Sequence, residues 1–359
     1  MPKLSEIFTL QMGKTPARAK NEYWNNGDND WVSISDLSTY DKYVGETKET
    51  ISDLAVMESG IKPAPADTVI MSFKLSLGKT AITVKPTYTN EAIMAFIPNG
   101  NYPVHTSYFY HFFVGYDWSN GTNRAVMGST LNKATLSEIE ITVPSIMEQM
   151  EIAKCLDKID ALISLRKQQL SKLDELVKSR FIELFGDPIR NTQNRPTTDF
   201  INIVKLQRGF DLPVQDRQQD GDIPVFGSNG ALDRHNVAKV QGGGVITGRS
   251  GTIGRVYYTE GDYWPLNTSL FSVDTHGNNI IYLAYLLQMY DLSRFTEGTG
   301  VPTLNRNKFH NKPIIDVPLS EQELFASFVK QTDKSKLAIQ QSLAKLETLK
   351  KALMQKYFE

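Results

Sequence analysis

The chain has 359 residues, 40% of them hydrophobic and 10% aromatic, enough for two ordinary domains with real cores and too apolar for a disordered chain. A single cysteine, Cys155, excludes an intrachain disulfide framework, and the five histidines show no paired metal-ligand spacing. With 39 basic and 40 acidic side chains the net charge is −1, which argues against a self-sufficient, strongly basic nucleic-acid binder. Met1-Pro2-Lys3-Leu4-Ser5-Glu6 lacks the apolar run of a signal peptide, and no stretch approaches a membrane span. The expectation is a soluble, cytoplasmic protein.

In chain order, residues 1–146 alternate short β-rich runs with turns: Trp31–Ile34, Thr68–Met71 and Thr80–Val84. From Ile152 through Leu156, Ile159, Ile163, Leu170, Leu173 and Val177, apolar residues recur in steps of three and four. That spacing predicts an amphipathic helix over 147–185, stopped by Gly186-Asp187-Pro188. Residues 186–318 return to β-rich runs, Gly244–Thr247 and Arg255–Tyr258, with a helical piece at Asn279–Met289. A second amphipathic helix is predicted over 319–359, through Leu324, Phe328, Ile339, Leu343, Leu346 and Leu353, with Ser320 as its N-cap. The apolar pattern lapses near Gln331–Lys336, so a kinked bundle helix competes with a coiled coil. Each helix of ~37 residues would run roughly 55 Å. Charge does not separate these segments: 12 basic and 15 acidic residues in 1–146, 7 and 7 in 147–185, 13 and 13 in 186–318, 7 and 5 in 319–359.

The chain repeats itself. Leu131-Asn132, Val143-Pro144 and Glu148-Gln149 match Leu304-Asn305, Val317-Pro318 and Glu321-Gln322, and Leu to Glu spans 17 residues in both. Leu75-Ser76-Leu77-Gly78-Lys79 matches Gly251-Thr252-Ile253-Gly254-Arg255. A looser match sets Tyr102–Ser107 beside Trp264–Ser269, with Asn90 competing as the partner of Asn267. A whole α+β domain is duplicated, unlike a solenoid, whose repeats are far shorter.

These residues resemble the specificity subunit of type I restriction–modification systems. The resemblance covers nearly the whole chain. It rests on the doubled Leu-Asn, Val-Pro, Glu-Gln pattern before a long helix. It also rests on Gly248–Gly254, Gly298–Arg306 and Phe185-Gly186-Asp187-Pro188. The resemblance implies two target-recognition domains, 1–146 and 186–318, each α+β, with helices 147–185 and 319–359 packed as an antiparallel coiled coil. It implies a non-catalytic chain that reads a bipartite double-stranded DNA target. Two DNA methyltransferase subunits, and restriction/translocase subunits, would assemble around it. S-adenosylmethionine, ATP and Mg²⁺ would then belong to those partners. A methylation-only complex and a coiled-coil scaffold are the alternatives.

DNA contact calls for arginine, lysine, amide and hydroxyl side chains on a close-approaching backbone. In the second domain these are Arg249, Ser250, Thr252 and Arg255 in the glycine-rich loop, with Gln207, Arg208, Arg217, Ser228, Asn229, Thr299 and Arg306. The glycines serve a tight hairpin equally well. The first-domain candidates are Lys74 and Lys79 in the matching loop, with lysines where the second domain has arginines, and Lys14, Lys20 and Arg124. Leu304-Asn305 reads as a structural anchor. Gly242-Gly243-Gly244 lacks the Gly-Lys-Ser/Thr ending of a phosphate cradle, and Cys155 reads as a packing residue. No Gly-x-Ser-x-Gly elbow or methyltransferase motif appears.

Overall fold

The computed structural model describes residues 1–74, 76–118, 123–125, 128–298 and 302–358, with backbone alone at 26, 123–125 and 128–130. The chain forms two compact units, Met1–Leu165 with Ser342–Glu359, and Arg166–Gln341.

In the first unit a four-stranded antiparallel sheet runs in the order Phe8–Met12, Ile93–Pro98, Val69–Ser72, Thr80–Ile82. Val69–Ser72 is buried on both faces, so its run of apolar residues does not alternate. A three-stranded sheet places Trp24–Val32 between Glu49–Ile51 and Tyr88–Thr89, the last pairing parallel. The helix Thr106–Gly115 buries Tyr108, Phe109, Phe112 and Phe113 with Phe8 and Phe96.

The second unit repeats this strand for strand. Its four-stranded sheet is Lys205–Arg208, Ser269–Asp274, Gly244–Gly248, Val256–Thr259. Its three-stranded sheet places Ile223–Gly227 between Gly230–His235 and Trp264–Pro265, again with the last pairing parallel. The helix Ile280–Tyr290 is capped by Asn279, whose side chain accepts from the Ile281 and Tyr282 amides. Individual hydrogen bonds recur too. The Gly13 amide donates to Ile93 O and that of Gly209 to Ser269 O, both at 3.1 Å. The Leu131 amide donates to Phe73 O and that of Leu304 to Arg249 O. Asn132 and Asn305 each cap the turn that follows, so the doubled Leu-Asn is an anchor.

This register corrects one alignment. Trp264–Pro265 occupies the place of Tyr88–Thr89, and Tyr102–Ser107 instead leads into a helix, as Asn278-Asn279 does in the second unit. Both segments carry an aromatic residue followed by proline or threonine, and only strand pairing separates them.

The long helices span Ile146–Phe185 and Leu319–Phe358, 40 residues each, or about 60 Å of helix. The second is continuous through Gln331–Lys336. Its apolar pattern lapses there because polar contacts replace apolar ones: Lys336 pairs with Asp174 at 2.6 Å, and Asp333 accepts from the Tyr258 hydroxyl at 3.2 Å. Within the second unit the two helices run antiparallel, since Asp174 meets Lys336 while Arg180, further along, lies over Phe328. Ser320 is inside the second helix rather than its N-cap, because the Pro318 carbonyl already accepts from the Glu321 and Gln322 amides. The first helix is capped by Ser145, which exchanges hydrogen bonds with Glu148 as a capping box and lowers that carboxyl's pKa. Gly186, in the left-handed region at φ +76°, ends it.

The doubled glutamine has the same role twice. Gln149 is fully buried; its amide donates to Pro103 O at 3.0 Å and Pro144 O at 2.9 Å, and its oxygen accepts from the His105 amide at 2.9 Å. Gln322 donates to Asn278 Oδ1 and Val317 O, both at 2.7 Å, and accepts from the Asn279 amide at 2.9 Å. Each ties the start of a long helix to the start of its unit's buried helix. The far ends repeat as well: Phe185 packs on Tyr282 at 5.1 Å between ring centres, and Phe358 on Tyr108 at 5.4 Å.

Replacing Gln149 or Gln322 by methionine keeps the volume and strands buried partners. Each variant should lose about 1–3 kcal/mol for every group left unsatisfied, read as a lower denaturant midpoint. An unchanged midpoint would remove the lock from the account.

Candidate nucleic-acid interface

Strand register brings several of the candidate residues together at one end of each four-stranded sheet. In the second unit Arg208 lies opposite Leu270, and Gly248 opposite Ser269. The end of the Lys205–Arg208 strand, residues 266–268 and the 249–255 loop therefore share one edge. Gln207, Arg208 and Arg255 are exposed there. Ser228 lies against Gly248 and Gly251, with exposed Asn229 beside it in the turn before Gly230. Ser250 bridges to Thr303, which places half-buried Arg306 on the following turn next to the loop. Thr252 is half-buried in the loop. Arg208, Arg255 and Arg306 have no ion-pair partner among the described residues.

Two arginines are tied down. The Arg249 Nε donates to Asn267 O at 3.0 Å, and its backbone is held by Thr268 and Leu304. Its place in the first unit belongs to the buried Phe73, whose amide donates to Ala92 as that of Arg249 does to Thr268. The lysine-for-arginine match thus holds for Lys79 and Arg255 and fails for Arg249. Arg217 is largely buried, 3.3 Å from Asp233 and donating to Leu212 O, so its donors are used inside the domain.

In the first unit the equivalent edge carries the 73–79 loop and the residues after Met12, because Ser72 lies opposite Ile93 and Met12 opposite Met94. Lys79 is exposed, and half-buried Lys74 sits 5.3 Å from the Phe73 ring. Lys14 is exposed, with its ammonium donating to Ser59 O. Lys20 stands apart, beside the three-stranded sheet, bound to Glu58 and the Tyr23 hydroxyl, bonds that raise its pKa. Arg124 belongs to a short hairpin, 123–125 with 128–130. Its side chain, Leu75 and Thr299 lie outside the described residues.

A feature that sequence reading missed is a polar cluster in the first unit. Fully buried His111 places Nε2 2.6 Å from Asp157 Oδ1, and Ser107 Oγ donates to the same carboxylate at 2.9 Å. Lys42 binds both Ser107 and Asp157. Asp160, paired with Lys350, lies 3.9 Å from His111 Nδ1. Ser107 and His111 share an acceptor rather than forming a relay, so the cluster seats the domain on its helix. Burial holds the His111 pKa below its usual value, against the pull of Asp157. Burial also pushes Asp157 up, but bonds from Lys42, His111 and Ser107 leave it below the ordinary carboxylate range. Helical spacing (His111 four residues after Ser107) was the one available signal.

The type I restriction modification DNA specificity domain model matches residues 1–175 and 190–350. The MjaIX specificity subunit of Methanocaldococcus jannaschii, a type I restriction enzyme component, is 32% identical over 199 residues; the match spans 53% of this chain and 45% of that protein. The EcoprrI specificity subunit of Escherichia coli is 23% identical over 353 residues, 91% of this chain and 85% of that one. In fold, the chain is similar to the crystal structure of a type I system S subunit from M. genitalium. The TM-score is 0.64 at 14% identity, covering 99% of this chain and 95% of that one. Duplicated α+β domains with matched basic sheet edges, each leading into a long helix, define a protein of two recognition domains. The chain belongs to the type I restriction–modification DNA specificity family. No helix among the described residues is long and apolar enough to cross a membrane.

The folded chain resists protonating His111, whereas the unfolded chain takes that proton up near the ordinary value of 6.5. Below that pH the unfolded state binds more protons, so stability falls as pH drops. Asp157 adds a further loss at more acid pH, as its depressed carboxyl is protonated. Denaturant midpoints measured from pH 7.5 downward should show the first decline starting near 6.5, and H111Q should flatten it. An equal slope in H111Q would refute the assignment.

Proposed function

We propose that this chain is the non-catalytic specificity subunit of a type I restriction–modification complex, reading a split DNA duplex target. Residues 1–146 and 186–318 are the two readers, and the helices 147–185 and 319–359 set the gap between half-sites. The observation that carries this reading is the repeated sheet edge, where Lys79 and Arg255 hold equivalent exposed positions. Arg208, Gln207, Asn229 and Arg306 supply further donors for base edges and phosphates in the second half-site; Lys14 and Lys74 do so in the first.

Each base pair read contributes ~1–3 kcal/mol of discrimination. Two half-sites multiply that selectivity only if their separation is fixed. A helix of about 60 Å exceeds one duplex turn of ~34–36 Å, so it can act as a ruler. The near-zero net charge fits a division of labour. Two methyltransferase subunits supply most phosphate neutralisation, bind S-adenosylmethionine and transfer the methyl group. Restriction/translocase subunits bring ATP and Mg²⁺ chemistry. The assembly works in the cytoplasm, where the DNA is.

Long-read methylation mapping of the host, with and without this chain, should reveal a split motif that vanishes when the chain is removed. An unchanged methylome would overturn the reading. Inserting four residues after Lys172 should change the gap of that motif or abolish it. A motif with the same gap would refute the ruler.

A further inference from the structure

Beside the reading edge of the second unit lies an arginine that neither the repeat nor the loop motif marks. Arg294 sits in a short 3-10 turn, Leu292–Phe295, just after the helix Ile280–Tyr290. It is exposed, and its guanidinium carbon lies 4.1 Å from the centre of the Tyr290 ring and 4.7 Å from that of Phe295. Those rings are nearly parallel, 28° apart. Tyr290 is itself fixed, buried and donating its hydroxyl proton to Pro313 O at 2.9 Å. The carboxylate in the turn is already used: Asp291 accepts from the Ser293 amide at 3.1 Å and from its hydroxyl. Arg294 therefore has no ion-pair partner among the described residues.

The turn is pressed against the glycine-rich loop. A Cβ placed on Gly254, which has φ +89°, would lie 3.3 Å from Ser293 Cβ. Exposed Arg255 follows Gly254 and exposed Arg294 follows Ser293, so two exposed guanidiniums without ion-pair partners among the described residues flank one close approach of loop to turn. They differ in one respect. Among the described residues no aromatic ring lies under Arg255, whereas the Arg294 guanidinium lies over two rings that restrict its movement. Asp291 also adopts the left-handed conformation, φ +53°, a cost of ~1–3 kcal/mol for a residue other than glycine. A phosphate needs charge and tolerates a flexible arm. A base edge needs a fixed plane that presents two donors side by side.

We propose that Arg294 is a specificity-determining residue of the second recognition domain, its stacked guanidinium reading a guanine edge in that half-site. This rests on the DNA-reading function proposed above and names one base class within it. Arg255, unsupported, contacts phosphate alongside.

The test is methylation mapping in the host with R294K, which keeps the charge and loses the planar fork, and with R294Q, which loses the charge. The wild-type motif should contain guanine at a position in the second half-site. Both variants should lose roughly 5- to 150-fold discrimination at that position, leaving the first half-site and gap unchanged. A uniform fall at all sites would make Arg294 a phosphate contact and overturn the proposal. So would an unchanged motif, or a change confined to the first half-site. Thermal midpoints of the purified variants, expected within a few degrees of wild type, separate misfolding from relaxed reading; a loss of reading that tracks a collapsed midpoint in both variants counts against it. If the wild-type chain directs no split motif at all, the DNA-reading function itself fails.

Discussion

A buried glutamine at the root of each long helix is the constraint on which the structure turns. A primary amide in an apolar interior is costly unless both ends are satisfied. Gln149 and Gln322 meet that condition with three bonds each, two to the segment leading into the buried helix of the same unit and one to the residues just before their own helix. A helix that left the domain at another angle would strand the amide and its two partners before the buried helix together. The glutamine therefore fixes direction more than it adds stability. The ruler proposed for these helices needs that direction fixed.

Below this shared lock the two units diverge. The first seats its domain through charge, with Lys42, His111 and Asp157 around Ser107. The second uses Tyr258 donating to Asp333, and Phe181 and Phe325 enlarge the aromatic contact that both units share. The reading edges diverge in the same way: Lys79 faces out where Arg255 does, but Phe73 fills the position of Arg249. Duplication preserved the frame, and the surfaces were left to differ. That suits the proposed reading of a split target by two domains.

The long helices were legible because their signal is periodic and long, and the duplication because it recurs at constant spacing. Leu-Asn and Glu-Gln stood out for the same reason, and their roles as caps and locks give that recurrence a cause. Other features were illegible. The partner of Trp264–Pro265 depends on a parallel strand pairing between segments far apart in sequence. Arg249 and Arg255 are alike in sequence, and only the bond from Arg249 Nε to Asn267 O separates them. Arg294 gave no signal, because stacking on Tyr290 and Phe295 depends on a turn that bends the chain back.

The sequence by itself determined the class: two copies of an α+β domain, two long helices and a near-zero net charge. Those properties are local or periodic, so they survive in one dimension. Only the tertiary structure decided which basic side chains are free and which are tied to internal acceptors. That distinction rests on hydrogen bonds between residues distant in sequence, which no local or periodic pattern records.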